Sequence, residues 1–147
     1  MGSLALPASG NVYVDAQVFI YTVERHALYS PLVDPLWQAV QAGTLEVVGS
    51  ELTLMESLVG PIKKSDLTLA AAFERFFQQA GIRLLPIAQP ILREAARLRA
   101  TTKLRTPDAI QAATAISAGS VLFVTNDFGF RGFAGLPVVI LDDLLKP

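Results

Sequence analysis

The feature that most constrains this chain is the alternation of short apolar segments with longer segments of helical periodicity. Most of the short segments lack the polar alternation of a strand with one wet face, so each predicts a strand buried on both sides. Helical patterns between them favour parallel strands joined by crossover helices. The predicted strands cover residues 12–14, 45–48, 82–86, 121–124 and 138–141. The chain should therefore form an α/β fold whose parallel sheet is covered on both faces.

Start and stop signals place the predicted helices. Ser50 and Ser65 are expected to cap two of them, and Thr106-Pro107 combines a capping hydroxyl with proline at the first helical position. We expect Gly60-Pro61 to end the helix that Ser50 begins, and Gly119 to close the helix that Thr106 begins. The helix that Ser65 begins carries Leu69, Phe73, Phe76 and Phe77. The other predicted helices carry Phe19, Ile20 and Val23, residues 35–42 before Gly43, and residues 91–98. The three phenylalanines suit the core better than an interface.

Length and composition favour one globular domain over residues 1–147. Hydrophobic residues make up 52% of the 147 residues and charged residues 17%, which is enough apolar material for a buried core. The chain contains no cysteine, so disulfides and thiolate metal sites are excluded and a cytoplasmic location is expected. The sequence contains no run of about 18 apolar residues, so no membrane span is predicted.

Several chemistries are excluded by missing residues or motifs. The single histidine, His26, rules out a two-histidine ribonuclease and argues against a Ser-His-Asp triad. Neither a GxxxxGK[ST] phosphate loop nor a GxGxxG dinucleotide motif is present. A hydrolase built from this chain would therefore need metal-assisted chemistry. The net charge of −1 leaves two interpretations open: the protein does not meet RNA, or bound metal ions supply positive charge at its site.

Four acidic residues fall where a parallel sheet places its ligands, beyond the carboxyl ends of the strands. Asp15 and Asp127 follow predicted strands, Asp108 lies in the first turn of a helix, and Glu56 lies one and a half turns into another. Each also has a structural explanation as a helix cap, a dipole partner, a turn residue or an exposed side chain. Together, however, four carboxylates at one edge would repel one another unless a cation were bound. Ligands made only of oxygen suit Mg²⁺ or Mn²⁺.

The segments that carry these acids resemble the motifs of a known family. VYVD at 12–15, SELTLME at 50–56, TPDAIQAA at 106–113 and TND at 125–127 occur in the order found in PIN-domain nucleases, especially VapC-like toxins of type II toxin–antitoxin pairs. The resemblance extends from about residue 11 to residue 143. It implies a three-layer α/β/α sandwich with a central, mostly parallel sheet. It also implies an RNA substrate, a small antitoxin partner and a homodimer.

The resemblance assigns the acidic quartet as Asp15, Glu56, Asp108 and Asp127, which would bind Mg²⁺ or Mn²⁺ and cleave RNA with a metal-activated water. It selects Glu56 over Glu51 and makes Thr125 and Asn126 supporting groups for the carboxylates. The chain departs from many relatives by having Ala16 and Gln17 after Asp15, where those relatives have Thr and Asn. Four basic residues are candidates for contacts with RNA phosphates, and the alternative is that they are ordinary surface residues: Lys63, Lys64, Lys103 and Arg105.

Two other functions remain open from the sequence. The first is a non-catalytic PIN-like domain that only binds a partner. The second is a phosphoacceptor receiver domain, which needs an acidic pair after the first strand and a lysine after the last. The chain offers Asp15-Ala16 and Asp142-Asp143 at those places, so the receiver domain fits poorly.

Overall fold

A single five-stranded sheet organises the computed structural model, which describes residues 2–147. The strand order is β3-β2-β1-β4-β5, and every neighbouring pair is parallel. The predicted parallel sheet is therefore confirmed. The strands are β1 (Asn11–Val14), β2 (Glu46–Ser50), β3 (Ile82–Leu85), β4 (Leu122–Thr125) and β5 (Val138–Ile140).

Residues 2–147 also form six α-helices and two short 3₁₀ helices, the second of which follows the last strand. None of the helices within residues 2–147 combines the length and the apolar character that a membrane crossing requires. The α-helices are α1 (Ala16–Val23), α2 (Ser30–Gln41), α3 (Glu51–Lys63), α4 (Leu67–Phe77), α5 (Gln89–Thr101) and α6 (Thr106–Ser117). The 3₁₀ helices are Phe128–Phe130 and Leu141–Leu145.

The alternation of side chains along β1 separates the two helical layers. Val12 and Val14 point into a cluster with residues of α1, α2 and α4, whereas Tyr13 points to the opposite face and a cluster with α5 and α6. All three side chains are fully buried. Two phenylalanines of α4, Phe76 and Phe77, pack against the first cluster and contact Phe19, and the third, Phe73, is fully buried. The three-layer sandwich and the core placement are thus confirmed.

Two predictions about helix ends near α3 and α4 are wrong. Helix α3 continues through Pro61 to Lys63, although Pro61 lacks the N–H of a regular helical residue. Pro61 is buried, and burial of its ring compensates for the missing bond. The cap of α4 is Asp66 and not Ser65, because the Asp66 carboxylate accepts a hydrogen bond from the Leu69 N–H at 3.0 Å. Ser65 instead takes a left-handed conformation with φ of 55°.

Helices α2 and α6 also begin differently from the prediction. Helix α2 starts at Ser30, so Pro35 lies inside it and does not begin it. Helix α6 starts at Thr106 without a side-chain cap, and Arg105 holds the N-cap position. Pro107 fits in the first turn of α6 because the N–H groups of a first turn have no acceptor within the helix, so the missing N–H of proline costs no hydrogen bond. The predicted cap at Ser50 is confirmed by a 3.0 Å bond from the Leu52 N–H to its hydroxyl.

The strand order places a topological switch point between β1 and β4. From β1 the chain proceeds to β2 and β3 on one side, and it returns to form β4 and β5 on the other. Ligands of open α/β sheets bind at such points, outside the carboxyl ends of the strands. The residues that immediately follow β1 and β4 therefore define the place where a site is expected.

Candidate active site

Asp15 is the buried centre of the carboxylate cluster at the switch point, with 9% of its surface exposed. Its Oδ1 accepts a hydrogen bond from the Ala16 N–H at 2.8 Å. Asp15 therefore caps α1, which is the structural role that the sequence also allowed for it. Its Oδ2 accepts a hydrogen bond from the Thr125 hydroxyl at 2.7 Å. Burial raises the pKa of Asp15 to about 6, and repulsion by Glu56 and Asp127 adds to the effect.

Thr125 joins the ends of β1 and β4. Its hydroxyl donates to Asp15 and also accepts a hydrogen bond from the Asp127 N–H at 3.0 Å. The Asp127 carboxylate accepts from the Gly129 N–H at 2.8 Å and caps the 3₁₀ helix that follows. Thr125 therefore fixes two acids at once. It is a hydrogen-bond partner of Asp15, whereas the Gln17 side chain is exposed.

Asp108 faces Asp127 from the first turn of α6. Burial raises the pKa of Asp108 to about 6, with further contributions from the charges of Asp127 and Asp15, while Arg105 opposes the shift. Gly129 lies against this pair: a methyl group added there would stand 3.0 Å from Oδ1 of Asp127 and 3.6 Å from Oδ2 of Asp108. The absence of a side chain at Gly129 thus leaves room for both carboxylates.

Glu56 is held by a buried side chain that the sequence reasoning did not single out, Gln111. The Gln111 amide nitrogen donates to Oε1 of Glu56 at 2.8 Å, and its amide oxygen accepts a hydrogen bond from the Tyr13 hydroxyl. Gln111 is 1% exposed and lies three residues after Asp108, on the same side of α6. Burial raises the pKa of Glu56, and the charge of Asp108 raises it further, against the lowering effect of Gln111. The sequence signal that could have identified Gln111 is a polar residue one helical turn after Asp108.

The remaining predicted residues divide into those near the cluster and those elsewhere. Lys103 and Arg105 line a small cavity with Asp108 and Asp127, whereas Lys63 and Lys64 lie at the exposed end of α3. The Asn126 amide donates to the Tyr21 hydroxyl at 3.1 Å, and its oxygen accepts from the Asp142 N–H at 2.8 Å. Asn126 thus links the end of β4 to Tyr21 and Asp142, and neither hydrogen bond goes to a carboxylate of the predicted quartet.

The fit of the cluster to a divalent ion depends on its donors. Within residues 2–147, no three His, Cys, Asp or Glu side chains are arranged to hold one metal ion among themselves. Mg²⁺ commonly uses only one or two carboxylates and keeps several waters, so this arrangement still suits it. The raised pKa values of Asp15, Glu56 and Asp108 are what unneutralised carboxylates produce when they are buried together. The donor set therefore fits a hard cation.

Structural comparison relates the chain to toxin–antitoxin proteins. VapBC2 from Rickettsia felis, solved with a promoter DNA fragment, matches with a TM-score of 0.71 at 16% identity over 88% of this chain and 97% of that one. VapC20 from Mycobacterium tuberculosis, described as a sarcin–ricin loop cleaving toxin, matches with a TM-score of 0.65 at 15% identity over 86% and 98%. A toxin–antitoxin complex from Klebsiella pneumoniae matches with a TM-score of 0.61 at 24% identity over 87% and 95%. At these identities the similarity shows a shared fold.

Sequence comparison identifies the family. No curated protein matches the chain significantly. The model of the PIN domain family, however, matches residues 12–136, which include all four acids of the cluster. This match contradicts the alternative of a receiver domain. The chain belongs to the PIN domain family and shares its fold with structures of VapC toxins.

Proposed function

We propose that this protein is a Mg²⁺- or Mn²⁺-dependent ribonuclease whose acidic quartet is Asp15, Glu56, Asp108 and Asp127. The observation that carries the proposal is the convergence of these carboxylates, which come from four separate segments and lie near one another at the switch point of the sheet, where burial raises the pKa of Asp15, Glu56 and Asp108. Helix capping alone explains Asp15 and Asp127 one by one, but it does not explain why Glu56 and Asp108 share their edge of the sheet.

The chain's own residues hold the quartet in place. Thr125 and the Ala16 N–H orient Asp15, and Gln111 orients Glu56 from a buried position. A divalent ion bound there would lower the pKa of a coordinated water and stabilise negative charge at the phosphorus. Lys103 and Arg105 stand beside Asp108, where they can contact the phosphates that flank the cleaved bond.

We further propose that the protein acts as the toxin of a toxin–antitoxin pair, with a small antitoxin as its partner, and that it forms a homodimer. The Klebsiella structure is described as a toxin–antitoxin complex, the Rickettsia structure as VapBC2 bound to a fragment of promoter DNA, and the Mycobacterium protein as a sarcin–ricin loop cleaving toxin. Apolar side chains exposed along α3 support contact with another protein: Met55, Val59 and Ile62.

A cleavage assay tests the nuclease. Purified protein should cleave mixed RNA with Mg²⁺ or Mn²⁺, and EDTA should abolish cleavage. Asp15→Asn and Asp108→Asn should each reduce the rate by at least about 100-fold, whereas Asp34→Asn, an exposed acid of α2, should cleave like the wild type. Full activity in excess EDTA would contradict the metal-dependent mechanism.

The alternative is a PIN domain that binds a partner without catalysis. It would be favoured if pure, folded wild-type protein did not cleave RNA with either metal. The toxin role is tested separately in cells: expression of the active protein should arrest growth, and Asp15→Asn should not. Normal growth at high levels of active protein would contradict the toxin role and leave the nuclease standing.

A further inference from the structure

A chain of hydrogen bonds leads from the core of the protein to Glu56, and its innermost member is the Tyr13 hydroxyl. This hydroxyl donates to the amide oxygen of Gln111, and the Gln111 amide nitrogen donates to Oε1 of Glu56 at 2.8 Å. We propose that Tyr13 is a positioning residue, which acts through Gln111 to hold the Glu56 carboxylate in the orientation that binds a divalent ion. The inference rests on the proposed metal-dependent function and adds a residue that lies entirely inside the protein.

Core packing does not account for the hydroxyl of Tyr13. The Tyr13 ring is fully buried and stacks on Phe123, with the two ring centroids 4.9 Å apart. A phenylalanine at position 13 would make the same stacking contact without the cost of removing a hydroxyl from water. The bond to Gln111, which is itself 1% exposed, offsets that cost. Two polar side chains are thus buried together, and the outward end of their hydrogen-bond chain is the half-buried Glu56.

The direction of donation along this chain follows from the charge of Glu56. An ionised carboxylate only accepts hydrogen bonds, so Glu56 takes the amide nitrogen of Gln111 and leaves the amide oxygen facing inward. The Tyr13 hydroxyl is the donor to that oxygen. It keeps its proton at neutral pH because burial, and then the charges of Asp15 and Glu56, raise the pKa of Tyr13. Without this donor the amide oxygen would be buried unpaired, and rotation of the amide toward another donor would withdraw its nitrogen from Glu56.

Glu56 depends on such support more than Asp15 and Asp127 do. Those two carboxylates each accept a hydrogen bond from a backbone N–H, so the main chain itself fixes their orientation. The longer side chain of Glu56 is held instead by the side chain of Gln111. Hydrogen-bond partners of this kind orient a metal ligand, and their loss typically lowers metal affinity or activity by roughly 10–100-fold. The Tyr13 hydroxyl therefore influences the metal site from a position two hydrogen bonds away from the Glu56 carboxylate.

Binding of Mn²⁺ alone tests this proposal without requiring cleavage. Full-length protein is titrated with Mn²⁺, and the electron paramagnetic resonance signal of the free ion gives the dissociation constant. Tyr13→Phe keeps the ring and removes only the hydroxyl, so it should weaken Mn²⁺ binding by about tenfold. Tyr29→Phe is the matched control, because it removes a hydroxyl that donates to Asp142, an acid outside the quartet. This control should bind Mn²⁺ like the wild type.

A double variant separates positioning from a purely structural role. Gln111→Leu should lose Mn²⁺ affinity, and it should unfold at a lower urea concentration because it leaves the Tyr13 hydroxyl unpaired. Adding Tyr13→Phe removes that unpaired hydroxyl, so the double variant should unfold at a higher urea concentration than Gln111→Leu. Its Mn²⁺ affinity should nevertheless equal that of Gln111→Leu, because Tyr13 acts through Gln111. The double variant leaves neither polar group unpaired, so it keeps the test open should Tyr13→Phe alone fail to fold.

The outcomes distinguish this inference from the proposed function. Wild-type Mn²⁺ affinity in folded Tyr13→Phe would overturn the positioning role and leave the nuclease standing, as would equal losses in Tyr13→Phe and Tyr29→Phe. A further loss of affinity when Tyr13→Phe is added to Gln111→Leu would also overturn it, because Tyr13 would then act by another route. If Tyr13→Phe weakens Mn²⁺ binding but the wild type does not cleave RNA, the positioning role stands and the nuclease fails. A wild type that does not bind Mn²⁺ would contradict both.

Discussion

Replacing Asp15 by Asn should stabilise the metal-free protein at neutral pH. The Asp15 carboxylate is buried beside Glu56 and Asp127, and its pKa is raised from 3.8 to about 6. The neutral amide of Asn keeps an oxygen that can accept the Ala16 N–H, so the cap of α1 survives the change. The substitution therefore removes an unfavourable buried charge while it preserves local structure.

The magnitude follows from the pKa difference between the folded and unfolded chain. One pKa unit corresponds to about 1.4 kcal/mol, so the ionised Asp15 costs the folded state about 3 kcal/mol above its folded pKa. Between about pH 4 and pH 6 the folded chain retains a proton that the unfolded chain has released, so stability falls as pH rises. Loss of the charged acceptor for Thr125 costs about 1 kcal/mol, which leaves a net gain of about 2 kcal/mol at neutral pH.

Urea unfolding in EDTA at several pH values measures this effect. The stability of Asp15→Asn minus that of the wild type should grow between about pH 4 and about pH 6 and then level off. Asp34→Asn, the exposed control on α2, should stay within about 0.5 kcal/mol of the wild type throughout. Mg²⁺ should stabilise the wild type more than Asp15→Asn. A variant that is less stable than the wild type at neutral pH, with the same pH dependence, would refute the reasoning and leave Asp15 as a helix cap only.

Three further substitutions test the groups around the quartet. Gln111→Leu leaves the buried Tyr13 hydroxyl without its acceptor, so urea unfolding should show a loss of about 1–3 kcal/mol. Its cleavage rate should fall as well, and wild-type cleavage would contradict a positioning role for Gln111. Thr125→Val removes a hydrogen bond that lowers the pKa of Asp15, so the acidic limb of the cleavage-rate pH profile should move to higher pH; an unmoved limb would count against Asp15 as the titrating group. Gly129→Ala places a methyl group 3.0 Å from Oδ1 of Asp127, so cleavage should drop while the melting temperature changes little, and unchanged cleavage would mean that the carboxylate can shift freely.

The sequence was sufficient to predict the fold class and the edge of the sheet that carries the acids. Segments such as 121–124 are apolar on both sides, and only a sheet covered on both faces buries such strands. Parallel strands then bring their carboxyl ends to one edge, which is why Asp15 and Asp127 could be placed together. The choice of Glu56 over Glu51 needed the family motif, because helical periodicity put both near the apolar side.

Helix boundaries depended on tertiary contacts that no local signal contains. Pro61 carries the strongest stop signal in its segment, yet α3 passes through it and its ring is buried. At Ser65 and Asp66 two residues of similar capping strength compete, and Asp66 caps α4 while Ser65 takes the left-handed conformation of the turn.

The sequence by itself determined which acids exist, that they lie at one end of a parallel sheet, and which chemistries the chain lacks the residues to perform. Only the tertiary structure decided how those acids are held. Thr125 donates to Asp15 across 110 residues, and Gln111 contacts Glu56 and a buried Tyr13 across 55 and 98 residues. Such pairings depend on strand order and helix packing, which bring distant residues within hydrogen-bond distance. The periodicity of a sequence reports the face on which a side chain lies, but it carries no information about the partner that this side chain meets there.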